Sequence, residues 1–158
     1  MSDQKYIPRL VIVGRPNVGK STLFNRPFGR RRALVHDFPG VTRDRLEEQA
    51  QWWIQARPYD IKLVDTGGLG GDRFAEEIKA QVGMALDVAD VVIVLFDGQS
   101  GLTPADEEVV RELQRSGPCR RDNGKKIPMI GVVNKVDHEN HETFLNDFFQ
   151  TLSLIHIS

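Results

Sequence analysis

Residues 14 to 21 read Gly14-Arg15-Pro16-Asn17-Val18-Gly19-Lys20-Ser21, two glycines with four residues between them, followed by Lys and Ser. This is the pattern of a phosphate-binding loop. Leu10-Val11-Ile12-Val13 ahead of it is a β-branched run suited to a buried parallel strand, and Thr22-Leu23-Phe24-Asn25 behind it suits a helix start, so the strand-loop-helix context is present. Glycines at 14 and 19 let the backbone turn tightly and approach a ligand that a Cβ would hold off. Successive N–H groups and the positive end of the helix then face an anion. Lys20 is expected to reach the β- and γ-phosphates of a nucleotide, and the Ser21 hydroxyl to ligate Mg²⁺.

Working outward, 158 residues with 40% hydrophobic content and net charge −1 make one domain with a real core. The balanced charge gives no general case for a DNA partner. Cys119 is the single cysteine, so neither an internal disulfide nor a cysteine-based metal site is expected, which suits a reducing, cytoplasmic setting. The longest apolar run, Val91 to Phe96, is far short of the roughly 20 residues of a membrane span, and residues 1 to 8 lack a signal-peptide core. No membrane partner is expected. His36, His138, His141 and His156 show no ligand spacing, so no zinc site is proposed.

Helix one should end near Asn25 or Arg26, because Pro27 removes a helical hydrogen bond and clashes with the preceding turn. Residues 27 to 45, with two prolines and two glycines, have no sustained period and read as a long loop. Arg26, Arg30, Arg31, Arg32, Arg43 and Arg45 crowd this region, and a solvated loop is the expectation over an RNA contact. Leu46, Glu48, Ala50, Trp52 and Ile54 alternate with their neighbours, as do Tyr59, Ile61 and Leu63 after a turn placed at Pro58, which predicts a hairpin. Phe74, Ile78, Val82 and Leu86 form a helical stripe. Val91 to Phe96 is a buried strand stopped by Asp97-Gly98, and Thr103-Pro104-Ala105-Asp106 opens a helix closed by Gly117-Pro118. Ile127 to Val133 is the next strand, and Phe144, Leu145, Phe148 and Phe149 mark a further helix. Alternating strands and helices predict a three-layer α/β fold with a mainly parallel sheet, ligands lying at the strands' carboxyl ends.

The choice of base rests on Asn134-Lys135-Val136-Asp137 at a strand end. A carboxylate at Asp137 accepts hydrogen bonds from the ring N–H and the exocyclic amine of guanine, whereas adenine presents an unprotonated nitrogen there. Asn134 is expected to brace the loop and contact the base, with the stem of Lys135 over its face. Asp65, closing a strand before Thr66-Gly67-Gly68, stands where a carboxylate helps hold Mg²⁺, and Gly68 can offer its N–H to the γ-phosphate. Thr42 lies in the loop where a threonine senses Mg²⁺ and the γ-phosphate. Gly14, Asn17, Val18, Gly19, Lys20, Ser21, Thr22, Asp65, Gly68, Asn134, Lys135 and Asp137 are thus assigned to the nucleotide, GTP or GDP. Lys20, Thr42 and Gly68 are assigned to catalysis, and Ser21, Thr42 and Asp65 to Mg²⁺.

Together these motifs resemble those of translation-associated bacterial GTPases. GRPNVGKSTLFN, FPGVTRDR, LVDTGGL, DGQSGLTPAD and NKVD look like the first G domain of the Der (EngA) family over residues 8 to about 150. The resemblance implies a small GTPase-like P-loop NTPase fold with one antiparallel edge strand, and GTP hydrolysis. It also implies a larger protein with two tandem G domains and a KH-like domain, acting in assembly of the large ribosomal subunit. Within that group an asparagine at the position of Asn17 ligates K⁺. Pro27 departs from the family, which has an apolar helix former there, and the Ser-Ala type fifth motif is not reached. The G domain is accordingly expected over 1–151, incomplete at its C-terminal end. Residues 152–158 (LSLIHIS) are expected to be a non-native tail, the rival being a genuine last strand ending at Ser158. PGVTRDR disfavours the Era type, and a phosphate loop at position 14 leaves no N-terminal domain for the tRNA-modifying type. A non-catalytic, nucleotide-gated binding module is the alternative from another class.

Overall fold

The computed structural model describes residues 6–25, 46–67, 73–116, 126–136 and 147. The arginine-rich loop, the proposed helix around Phe144 to Phe149 (but for Asp147) and the tail over 152–158 lie outside them. In chain order the elements are β1 (Arg9–Val13), α1 (Lys20–Asn25), β2 (Leu46–Ile54), β3 (Arg57–Asp65), α2 (Phe74–Val88), β4 (Val91–Asp97), α3 (Pro104–Arg115) and β5 (Met129–Asn134). Among the described residues, five strands form one sheet in the order β2-β3-β1-β4-β5. β1 runs parallel to both β3 and β4, β4 runs parallel to β5, and β2 is antiparallel to β3.

Side-chain alternation along the strands divides the core into two layers. Val11, Val13, Val64, Val92, Val94 and Phe96 point to one face, where Ile78, Val82 and Ala85 of α2 and Val109, Val110 and Leu113 of α3 cover them. Leu10, Ile12, Leu63, Ile93 and Leu95 point to the other, against Val18 and Phe24. Covered on both faces, β4 carries a nearly unbroken apolar run, as parallel strands do. Because α1 packs on one face and α2 and α3 on the other, chain direction around the sheet reverses at β1. The carboxyl end of β1 is therefore the switch point, where a crevice opens for a ligand.

α3 begins as its sequence predicts. Thr103 accepts from the N–H of Asp106, Asp106 accepts from the N–H of Thr103, and Pro104 occupies the first turn, a reciprocal capping box. The hairpin turn falls elsewhere than expected. Gln55 and Ala56 make it, with φ of 48° and 62°, the left-handed pair that a tight two-residue turn demands. Pro58 instead stands inside β3 opposite Trp53. That pair follows the closing pair Ile54–Arg57 and is of the non-hydrogen-bonded kind, so a missing N–H at Pro58 points away from β2. Within β3, β1 pairs with Lys62 to Asp65 and makes no demand on Pro58. Among the described residues no helix is long and apolar enough to cross a membrane.

Candidate functional site

The phosphate loop leaves β1 through a gap that admits no side chain: a Cβ on Gly14 would stand 2.7 Å from the carbonyl oxygen of Leu95 and 3.1 Å from Val18 Cγ2. The N–H of Gly14 donates to Oε1 of Gln81 at 3.1 Å, and Nε2 of Gln81 donates to Glu77 Oε1 at 2.9 Å. Gln81 is fully buried, so α2 holds the start of the loop from within the core. Val18 is also buried, in the core layer with Leu10, Ile12 and Leu95, and its side chain anchors the loop.

Lys20 folds back under the loop and donates to the carbonyl oxygens of Gly14 at 2.8 Å and Arg15 at 2.9 Å. An ammonium has three donors, and these two bonds leave the third for an anion. Burial draws Lys20 below the usual lysine pKa, against the opposing fields of the Glu77 and Asp65 carboxylates. A phosphate in the crevice would favour the charged form again. Beside it, Ser21 Oγ donates to Asp65 Oδ2 at 3.0 Å, and the N–H of Gly67 donates to Asp65 Oδ1 at 2.8 Å. Thr66, buried, ties its hydroxyl to the Ile12 carbonyl and thereby locks the end of β3 to β1.

From the other side β5 delivers Asn134, in register with Asp97 of β4. Asn134 Nδ2 donates to the Val18 carbonyl at 3.0 Å. Lys135, with φ of 60°, donates to the Asn17 carbonyl at 2.9 Å and to Asp97 Oδ2 at 2.6 Å. Burial would raise the Asp97 carboxyl, but hydrogen bonds from Lys135 and the Gln99 N–H, with the charge of Lys135, hold it below the usual carboxylate range. The result is a cleft of about 480 Å³ lined by Pro16, Asn17, Gly19, Lys20, Ser21, Thr22, Gly67, Glu77 and Lys135, within the size range of small-molecule sites.

Of the residues assigned from sequence, Gly14, Asn17, Val18, Gly19, Lys20, Ser21, Thr22, Asp65, Asn134 and Lys135 converge on this cleft or its walls. Thr42, Gly68 and Asp137 lie outside the described residues. Gln81 and Glu77 belong to no motif, although a glutamine beside Ile78 and Val82 on an apolar helix face is a signal. In sequence Asp97 marks only the stop of a strand. No group of three or more His, Cys, Asp or Glu able to hold a metal occurs among the described residues. The Ser21 hydroxyl and Asp65 carboxylate are instead a pair of hard oxygen donors, the kind of partial shell that fits Mg²⁺ completed by water and phosphate.

A family described as 50S ribosome-binding GTPase matches residues 9–135. The chain is similar to GTPase Der of Leuconostoc citreum, 45% identical over 144 residues that cover 90% of this chain and 30% of that protein. It is similar also to GTPase Der of Geobacter metallireducens, 47% identical over 146 residues with the same two coverages of 90% and 30%. The chain thus spans about 30% of the length of these relatives. In fold it is similar to Era of Aquifex aeolicus bound to GDP and AlF4⁻, with TM-score 0.63, 24% identity, and coverage of 94% of this chain and 48% of that one. A second Era structure, in complex with MgGDPNP and a segment of 16S ribosomal RNA, gives TM-score 0.60, 25% identity and coverage of 91% and 47%.

Proposed function

The chain belongs to the 50S ribosome-binding GTPase family, and from that premise we propose that it binds GTP and GDP, hydrolyses GTP, and acts as a switch domain in assembly of the large ribosomal subunit. The observation that carries the proposal is the joining of phosphate loop and strand-end motif by the Asn134–Val18 and Lys135–Asn17 hydrogen bonds, which supports a shared site for phosphate and base.

In this reading the N–H groups of residues 17 to 22 line the phosphates, and Lys20 directs its third N–H at the β- and γ-oxygens. Ser21 and Asp65 would hold Mg²⁺ on their hydroxyl and carboxylate, and Thr42 and Gly68 keep the roles assigned to them from sequence, toward Mg²⁺ and the γ-phosphate. When bound, Mg²⁺ supplies positive charge to the transferring phosphoryl group. Asp137 reads the guanine edge and Lys135 lays its stem over the ring. Leu69, after Asp65-Thr66-Gly67-Gly68, can neither orient nor deprotonate water. Lys20 and Mg²⁺ then supply only part of the charge that the transition state needs, the balance coming from a partner or another cation, and we assign K⁺ to Asn17. The single cysteine suits the cytosol as the compartment.

Nucleotide titration and turnover test the proposal. GTP and GDP should bind with about a 10⁴-fold preference over ATP, as a site built around buried hydrogen bonds allows. Asp137→Asn should lose GTP and gain xanthosine triphosphate, whose ring carbonyl suits an amide. Equal affinity for ATP and GTP would overturn the guanine reading, and GTP binding without phosphate release would leave a nucleotide-gated binding module.

A further inference from the structure

Asp97 closes β4 with a carboxylate held on several sides. Oδ1 accepts the N–H of Gln99 at 2.9 Å, Oδ2 accepts the ammonium of Lys135 at 2.6 Å, and Nη2 of Arg15 stands 4.0 Å from that same oxygen. The side chain is 8% exposed. Arg15 is gripped in turn by Asp106, Nε to Oδ1 at 3.1 Å and to Oδ2 at 3.2 Å, and donates to Ser100 Oγ at 2.6 Å. Charges therefore alternate from Lys135 through Asp97 and Arg15 to Asp106, running from the strand-end motif across the phosphate loop to the cap of α3. A carboxylate needed only to end a strand would not require this arrangement.

We propose that Asp97 is a positioning residue for the guanine nucleotide, acting through Lys135. By holding the ammonium against the Asn17 carbonyl, it presents the stem of Lys135 to the base and makes the two loops one body. The inference rests on the guanine-nucleotide reading above. A lysine stem is flexible and strongly hydrated at its tip, so a stem fixed before the ligand arrives spares binding the cost of ordering it. The backbone of Lys135, at positive φ, is a conformation that surrounding contacts must maintain.

The competing role is a simple turn cap, through Gln99. Asp97→Asn separates the two, because an amide oxygen still accepts the Gln99 N–H while the amide nitrogen repels the ammonium. GDP titration of the full chain, Asp97→Asn, Lys135→Met and the double variant forms the cycle. We expect Asp97→Asn to weaken GDP on the order of tenfold to a hundredfold, the worth of a hydrogen bond between charged groups, and to cost nothing further once Lys135 is Met. Unchanged affinity in Asp97→Asn, or penalties that add in the double variant, overturns the inference while wild-type binding leaves the guanine reading standing. A wild-type chain that binds no GDP removes the reading and the inference together. Should Asp97→Asn not fold, Asp97→Ser, whose hydroxyl also accepts the Gln99 N–H, completes the same cycle.

Discussion

Nδ2 of Asn134 donates to the Val18 carbonyl at 3.0 Å, and a Cβ on Gly19 would stand only 2.4 Å from that same nitrogen. The contact that ties the strand-end motif to the phosphate loop therefore also dictates glycine at 19, whose φ is 99°. The phosphate loop and the strand-end motif share one wall, so in the proposed function a change on either side is felt on both.

Gly19→Ala should accordingly cost about 1–3 kcal/mol of stability through backbone strain and displace Asn134, with GDP binding lost in a titration. Gly83→Ala is the control. Gly83 lies mid-helix in α2 with nothing within 4 Å of a Cβ, and alanine there should raise stability by about 0.5–1 kcal/mol in denaturant melts. A neutral Gly19→Ala would mean that the wall gives way without strain.

The β2–β3 turn offers a stabilising change. Gln55 and Ala56 hold left-handed φ values that neither residue favours, whereas Asn-Gly suits such a turn. Gln55→Asn with Ala56→Gly should add about 0.5–2 kcal/mol, raising Tm by a few degrees and leaving nucleotide affinity unchanged. An unchanged or lower Tm would show that the turn carries no strain to relieve.

Acid should weaken the protein partly through Asp97. Its folded-state pKa lies below the ordinary 3.8, so between the two values the unfolded chain binds more protons than the folded one. The stabilisation is fully present above the ordinary value and is lost as pH falls through the depressed one. At pH 7 Asp97→Asn should be less stable than wild type by about 1–3 kcal/mol, the worth of a charge-assisted hydrogen bond, with the gap closing below about pH 4. Urea melts across pH measure it, and a gap that persists in strong acid would exclude the ion pair as its source.

For potassium, hydrolysis should run faster in K⁺ than in Na⁺ at fixed ionic strength. Asn17 has φ of 65° and gives its carbonyl to Lys135, so glycine removes the side chain without the strain alanine would add. Asn17→Gly should abolish the difference between the salts while largely sparing GDP affinity. Equal wild-type rates in the two salts would leave Asn17 only its backbone role.

Local chemistry was legible in the chain itself. The glycine spacing around Lys20 and Ser21, the β-branched runs of β1 and β4, the helical stripe of α2 and the Thr103–Asp106 cap each depend on neighbours within a few residues, so their periods and side chains suffice to place them. The turn at Gln55 and Ala56 was hidden because Pro58 is the stronger turn signal, and only pairing with Trp53 in register shows it tolerated inside β3. Other relationships were decided by tertiary structure alone: Gln81 to Gly14, 67 residues apart, Arg15 to Asp106, 91 apart, Lys135 to Asp97, 38 apart, and Lys135 to Asn17, 118 apart. A local pattern can mark such a side chain as unusual, as with Gln81 on an apolar face, but not say which residue it meets. The partners meet because parallel strands bring their carboxyl ends to one edge of the sheet, and a side chain at a strand end acquires its meaning from whichever strand is its neighbour there.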